Sequence, residues 1–468
     1  MSLARTAPKL RVAIIGGGMG GLVLGLCLKK YAPGVHFDIY ESAAELTEVG
    51  AGIGMSPRIW TIMRDLGLED ELLTIAGTQD REGTGIPFSI FKGDEGRLID
   101  VIQFKQVHTF HRSILQKLLA RHLDAGDRIH FSKRLASYSE VSPTEPITLS
   151  FRDGTTATCD LVVGSDGIRS AVRHTMFNDL ADDAENSGQA EEAARLRTMV
   201  DPVFSGQVAY RGLAPASALS EELLLYAQMG PRILVGKNRD MVIYPVSGGK
   251  FVNVLAVKYN PGAGPVYDGP WSEPTTVEVI AKVFEGWEPR ALGLIQAVQD
   301  PFCWAMHTAP ELPTYVNGRA ALVGDAAHAM LPHQGAGVGQ AFEDGYILAT
   351  ILAHPSVTLP NLPTALTVYD DVRRPFSQKI QQGSDRNGMN YQLRRNGWEA
   401  VSEADSRAGW YPPKLLGMLA EELRNQMGWI YEASILDERA RVEETLVGLF
   451  PRSRLAYDRT RQLWYVTY

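Results

Sequence analysis

Six residues near the N-terminus, Gly16-Gly17-Gly18-Met19-Gly20-Gly21, satisfy the spacing G-x-G-x-x-G. Each glycine has a physical use if a dinucleotide binds there. One turns the chain, one lets a pyrophosphate approach the backbone, and one allows a helix to lie close on a strand. Free N–H groups at the start of that helix then meet the phosphates. Glu41 follows at the end of an apolar segment, about 20 residues beyond the turn, where a carboxylate accepts the hydroxyls of a ribose. This spacing does not separate FAD from NAD, and a tight turn without a ligand is the plain alternative.

Two later stretches carry the distinction. Gly164-Ser165-Asp166-Gly167-Ile168-Arg169-Ser170 and Gly324-Asp325-Ala326-Ala327-His328 each follow a short apolar run, and Pro332-His333-Gln334-Gly335-Ala336-Gly337-Val338-Gly339-Gln340 follows the second. Asp325 offers an acceptor for a ribityl or ribose hydroxyl, and the amides of Gly335–Gly339 suit a pyrophosphate or a flavin ring. The alternative is a pair of ordinary strand-to-helix turns with aspartate caps. A nicotinamide-dependent dehydrogenase accounts for Gly16–Gly21 and Glu41 but not for Gly324–Gly339, so FAD is the expected ligand. A flavin-binding scaffold without turnover would keep the same glycines.

The elements that must hold these residues are legible from periodicity. Val12–Ile15 is a β-branched run that stops at glycine and reads as a buried parallel strand. A helix from Leu22 to about Lys30, a turn at Pro33-Gly34 and a strand Val35–Tyr40 complete a βαβ unit. Helical patterns recur at Ser56–Leu66, His111–Leu123 and Gln340–Leu352, and buried strands at Asp160–Gly164 and Arg319–Val323. The acidic, Ala-rich segment from Asn178 to about Arg195 reads as a solvated insertion or surface helix. Between Val203 and Thr308 the texture changes to alternating segments (Gln207–Arg211, Arg232–Val235, Met241–Val246, Phe251–Lys258), which predicts a separate, largely antiparallel sheet. The expected fold is therefore α/β. A discontinuous Rossmann-like FAD-binding domain (8–80, 100–200, 309–377) carries an inserted mixed or antiparallel-sheet substrate domain (81–99, 201–308). A helical C-terminal region (378–468) follows, with Trp398, Trp410 and Trp429 as packing anchors.

Composition narrows the function classes. A net charge of -8 over 468 residues argues against nucleic acid as a partner. Three dispersed cysteines without a CxxC pair fit a reducing compartment. No apolar run approaches the ~18 residues of a membrane helix, and MSLARTAPKLR lacks the apolar core of a secretory signal. A cytoplasmic protein without membrane attachment, monomeric or homodimeric, is expected. His108 with His111, or His328 with His333, has no convincing third ligand, HExxH is absent, and no metal is expected. There is no G-x-S-x-G nucleophile elbow.

Taken together, Gly16–Gly21, Glu41, Gly50-Ala51-Gly52-Ile53-Gly54, His111-Arg112, Gly164–Ser170, Tyr210-Arg211-Gly212, Tyr244-Pro245 and Gly324–Gly339 resemble the class A FAD-dependent aromatic monooxygenases. The resemblance is greatest to their salicylate-hydroxylase-like branch, which includes fungal phenol hydroxylases. It implies that Glu41 binds the adenosine ribose and that Gly54 lies near the flavin. Arg112 would reach the FAD phosphates or ribityl chain, with a surface arginine as the alternative. Asp166 would serve both FAD and the nicotinamide coenzyme, Asp325 would hold the ribityl chain, and Gly337 and Val338 would present backbone to the isoalloxazine. With one Rossmann fingerprint only, NADH or NADPH would dock transiently as co-substrate. Ser56-Pro57-Arg58 departs from the family, which usually has Asn at the last of these positions, and leaves the contact of that amide open.

The implied chemistry is reduction of FAD by NAD(P)H, reaction with O2, and transfer of one oxygen atom from a flavin hydroperoxide to an electron-rich ring. The protein must make a phenol more phenolate-like and exclude water. Arg211 can pair with a phenolate or carboxylate through two N–H bonds, and Tyr244 can bond the same oxygen. The resemblance favours these two as the catalytic pair over His333, which can accept a proton beside the flavin. Their alternatives are a structural ion pair for Arg211, a core tyrosine for Tyr244 and a loop or capping role for His333. The expected substrate is a phenolic acid such as salicylate, hydroxylated with or without loss of carbon dioxide. The other outcome is dearomatisation of a resorcinol-like phenol in a fungal secondary-metabolite pathway.

Overall fold

Val12–Ile15 is apolar on both faces because both are covered. In a computed structural model of the chain, strand Leu10–Ile15 lies between two parallel neighbours, Val35–Tyr40 and Leu161–Gly164. The structure describes residues 8–46, 52–76, 86–104, 108–123, 128–246, 248–428, 434–450, 455–458 and 463–466. Gly50, Ala51 and Trp429 lie outside the described residues.

The central sheet has six strands in the order Val316–Asn317, Ala320–Leu322, Leu161–Gly164, Leu10–Ile15, Val35–Tyr40, Ile129–His130. All pairings are parallel except that between the first two strands. Helices Met19–Tyr31 and Gly337–Ala353 pack so closely that a Cβ on Gly345 would sit 3.1 Å from the backbone of Leu24. The acidic segment forms helices Ala171–Asn186 and Ala190–Arg197. The first of them sends Val172, Met176, Phe177 and Ala181 into the core.

The second sheet has eight strands, in the order Ser272–Pro274, Gln299–Thr308, Val203–Pro215, Phe251–Tyr259, Arg239–Val246, Arg232–Gly236, Ile86–Lys92, Arg97–Phe104. Only the pairing of Arg232–Gly236 with Ile86–Lys92 is parallel. Alternation of side chains divides each strand between two faces. Ala214, Ile243, Val254 and Ala256 pack on Ala227, Ile280, Leu294 and Ile295 of three short helices. The opposite face carries Gln207, Arg211, Asp240, Tyr244, Asn253 and Leu255, by their register across the ladder. A sheet clothed by helices on one side thus presents polar groups on the other.

The C-terminal part is helical, through Leu362–Tyr391, Lys414–Met427 and Ile435–Leu449. Helix Leu362–Tyr391 runs through the expected boundary at 377, and strand Arg97–Phe104 through that at 99. Trp398 is buried, whereas Trp410 is 75% exposed and is not the packing anchor its residue type suggests. No helix among the described residues is long and apolar enough to cross a membrane.

Candidate active site

The glycine turn has the three properties expected of it. Gly16 has φ +107°, and a Cβ there would fall 2.2 Å from the carbonyl oxygen of Ser165. A Cβ on Gly21 would fall 2.1 Å from the carbonyl oxygen of Gly16, whereas one on Gly18 would meet nothing within 4 Å. Two glycines are therefore required by packing and the third leaves the approach to helix Met19–Tyr31 open. Glu41 is tied to the same turn. Its Oε2 accepts from the Gly17 amide at 2.8 Å and its Oε1 from the Ala43 amide at 2.7 Å. A carboxylate has about four acceptor sites, so capacity for ribose hydroxyls remains.

The other side of the nucleotide cleft is built by two linked turns. The Asp166 carboxylate accepts from Ser170 Oγ at 2.5 Å and from the amides of Ala171 and Val172, at 2.7 and 3.3 Å, and so caps the helix that follows. Burial pushes the Asp166 carboxyl up against these hydrogen bonds. Arg173, which the sequence reading did not single out, joins this turn to the next. Its guanidinium donates to the carbonyls of Ile168, Val200 and Ala326. Asp325 is exposed at the start of its four-residue helix, with Oδ1 4.0 Å from where a Cβ on Gly337 would stand. Gly337, Val338 and Gly339 form the first turn of helix Gly337–Ala353, so their N–H groups have no intrahelical acceptor. Gly335, with φ +61°, has open space where a side chain would be. The open glycines, free helix-terminal amides and exposed carboxylate suit the pyrophosphate and polyol of FAD.

His328 has no place in a metal site. Its Nε2 lies 2.6 Å from Asp344 Oδ2, both side chains fully buried. Burial alone would raise the Asp344 carboxyl, but His328 and Arg373 hold it below its ordinary value. Among the described residues no group of three potential metal ligands occurs.

The polar face of the eight-stranded sheet supplies the substrate side. Arg211 stands opposite Leu255, and Tyr244 stands opposite Asn253 of the same central strand. The two therefore share one face at a diagonal. The Tyr244 hydroxyl donates to the carbonyl of Gly52 at 3.5 Å, and a Cβ on Gly52 would come within 3.1 Å of the Tyr244 ring. Gly52 opens strand Gly52–Met55, whose Gly54 is exposed opposite Thr109. Burial lowers the pKa of Arg211, Tyr244 opposes that, and Arg112 lowers it further. For Tyr244, burial raises the pKa and Arg211 pulls it back. Among the described residues Arg211 has no ion-pair partner, so the structural ion pair considered for it is not present.

A second polar group lies further along the same face. His333 is buried, and neither ring nitrogen has a hydrogen-bond partner among the described residues. Its carbonyl accepts from the Tyr391 hydroxyl at 3.1 Å and from Asn387 Nδ2 at 3.4 Å.

The sequence compares with known proteins in the same sense. A family profile described as "FAD binding domain" matches residues 9–204 and 304–384. Salicylate hydroxylase of Pseudomonas putida is 33% identical over 440 residues, covering 90% of this chain and 96% of that one. The chain belongs to the FAD-dependent aromatic monooxygenases. A 6-methylsalicylate 1-monooxygenase of Aspergillus terreus is 32% identical, over 80% of this chain and 81% of its own. A solved structure of a salicylate hydroxylase substrate complex superposes with a TM-score of 0.76 at 30% identity, covering 93% of this chain and 98% of that one.

As a monooxygenase of this group, the chain is an FAD enzyme of the salicylate-hydroxylase-like type; besides the glycine-lined cleft it has a junction where Tyr244 of the polar sheet face meets Gly52. Arg58, the departure from the family pattern, does not reach into that cleft. It is 3% exposed and donates to Glu343 at 2.8 Å and to Glu438 at 2.6 Å. Asp240, Gln207 and Gln392 join the polar face although nothing local in the sequence marks them. They converge from strands and a helix more than 150 residues apart.

Proposed function

We propose that this monooxygenase uses NAD(P)H and O2 to hydroxylate a phenolic acid of the salicylate type. The observation that carries the proposal is Arg211. A half-buried guanidinium without a carboxylate partner among the described residues, on the polar sheet face with Tyr244, favours an anionic ligand. A salicylate-like molecule supplies an anion and a phenolic oxygen on adjacent ring carbons. Arg211 pairs with the anion through its planar fork, and Tyr244 gives up its long contact with the Gly52 carbonyl to donate its one O–H to the adjacent oxygen. His333 accepts the phenolic proton, and the ring gains the electron density that attack on oxygen requires.

FAD, when bound, supplies the activation of O2. Glu41 would hold its adenosine ribose and the amides around Gly16, Gly18 and Gly21 its pyrophosphate. Asp325 would hold the ribityl chain, and Gly54, Gly337 and Val338 would meet the isoalloxazine through backbone. Arg112 would serve the phosphates or ribityl chain. Asp166 would act through the turn that it caps.

The test is a panel of phenols scored by stimulated NADH and NADPH oxidation, with the product mass determined for each. Salicylate-type acids are expected to stimulate oxidation and to yield a product with one added oxygen, with or without loss of carbon dioxide. Stimulation confined to resorcinol-like phenols without a carboxylate would favour the dearomatising reaction, in which Arg211 and Tyr244 hold the phenolate itself. Absence of stimulation by every phenol would overturn both.

A further inference from the structure

Asp240 is fully buried on the Arg239–Val246 strand, four residues before Tyr244 and on the same face. Its Oδ1 accepts from Gln392 Nε2 at 2.8 Å, and the same amide donates to Gln207 Oε1 at 2.7 Å. Its Oδ2 has no hydrogen-bond partner among the described residues. A carboxylate in this setting is costly unless a cation faces it. The one ion-pair partner among the described residues is His333, with Nε2 3.7 Å from Asp240 Oδ1. That separation is too long for a hydrogen bond but within ion-pair range once the imidazole carries a proton. Both His333 nitrogens and Asp240 Oδ2 are orphaned and buried.

We propose that Asp240 is the positioning residue for His333: its carboxylate, at ion-pair distance, balances the charge of the imidazole when His333 takes the phenolic proton. The inference rests on the phenolic reading of the same site. In the step, the substrate O–H bond breaks, its electron pair stays on oxygen, and an N–H bond forms on His333. The imidazolium then has its counter-ion in place. The titratable groups that face His333 among the described residues are Asp240 from the sheet and Tyr391 from helix Leu362–Tyr391. Burial and Asp240 both raise the Tyr391 pKa, so it stays a neutral donor. The remaining contacts on that helix are neutral, from Asn387 and the backbone of Gly388.

The experiment is the pH profile of kcat/KM for phenol-stimulated NAD(P)H oxidation by holoenzyme. Asp240→Asn should move the acid limb down by about one pH unit and lower the plateau kcat ~10-fold or more, with KM little changed. Gln392→Met removes the hydrogen bond that disperses the Asp240 charge and should move the limb up. In a His333→Asn background the limb should disappear and Asp240→Asn should add nothing. If Asp240→Asn loses flavin, the Gln392→Met shift carries the test alone. A limb left unmoved by both variants, or a further loss from Asp240→Asn in the His333→Asn background, overturns the role. If no phenol stimulates the unsubstituted enzyme, the phenolic reading fails and this one with it. Stimulation with an unmoved limb fails this one alone.

Discussion

In the proposed reaction Arg211 and Tyr244 have different roles and should fail differently. Arg211→Ala removes a charge-assisted pair worth ~1.5–3 kcal/mol, so KM for a phenolic acid should rise ~10- to 100-fold while flavin content stays unchanged. Tyr244→Phe removes the hydrogen bond proposed to the phenolic oxygen and should cost ~10-fold or less. Steady-state kinetics on flavin-replete protein checks both. His354 gives a pH effect of a separate kind. Burial and the neighbouring Lys9 ammonium hold its pKa down at about 4, from an ordinary 6.5. The unfolded chain therefore binds more protons between those values, and stability present above pH 6.5 is lost as pH falls towards 4. A thermal-unfolding series across that window should show His354→Gln losing less stability than the unsubstituted protein, by about 1–2 kcal/mol once water penetration offsets part of the shift.

The glycine turn makes its prediction at the level of the element. Gly21→Ala forces a Cβ onto a backbone oxygen and should prevent the strand and helix from closing, giving poorly folded, colourless protein. Gly18→Ala meets only open space, at a φ of -68° that alanine adopts. It should fold normally yet bind FAD ~10-fold or more weakly, because the methyl group stands where the pyrophosphate approaches. Absorbance near the flavin band together with the thermal midpoint separates the two outcomes. This element was legible because its determinants are local: β-branched runs, glycines and an acid at fixed spacing. Strand alternation likewise put Arg211 and Tyr244 in one sheet, where the structure sets strand Phe251–Tyr259 between them. Asp240 and Arg173 were not legible, since each acquires its role from partners that only the fold brings near. Trp410 misled because residue type says nothing about which face of a terminal segment is covered.

Across the whole molecule, a buried charge network ties the C-terminal helix Ile435–Leu449 to the flavin-binding part. Arg58 and Arg373 share Glu343 and Glu438, and Arg373 also reaches Asp344. Replacing Arg58 by Asn, the residue usual in the family, leaves Glu343 and Glu438 with Arg373 as their one remaining cation among the described residues and should cost ~3 kcal/mol. Arg58→Asn with Glu438→Gln should cost less than the sum of the single changes, as denaturant unfolding can show. The sequence marked Arg58 as unusual without revealing why, because Glu438 is 380 residues away. The assignment of the chemistry itself rests on an anion and a phenol meeting Arg211 and Tyr244 beside the flavin. Its most direct test is turnover of salicylate by holoenzyme with NAD(P)H under isotopically labelled O2. The expected result is coenzyme oxidation stimulated by salicylate, with one labelled oxygen atom in the aromatic product. Unstimulated oxidation, or oxidation that yields only hydrogen peroxide and unchanged salicylate, would contradict it.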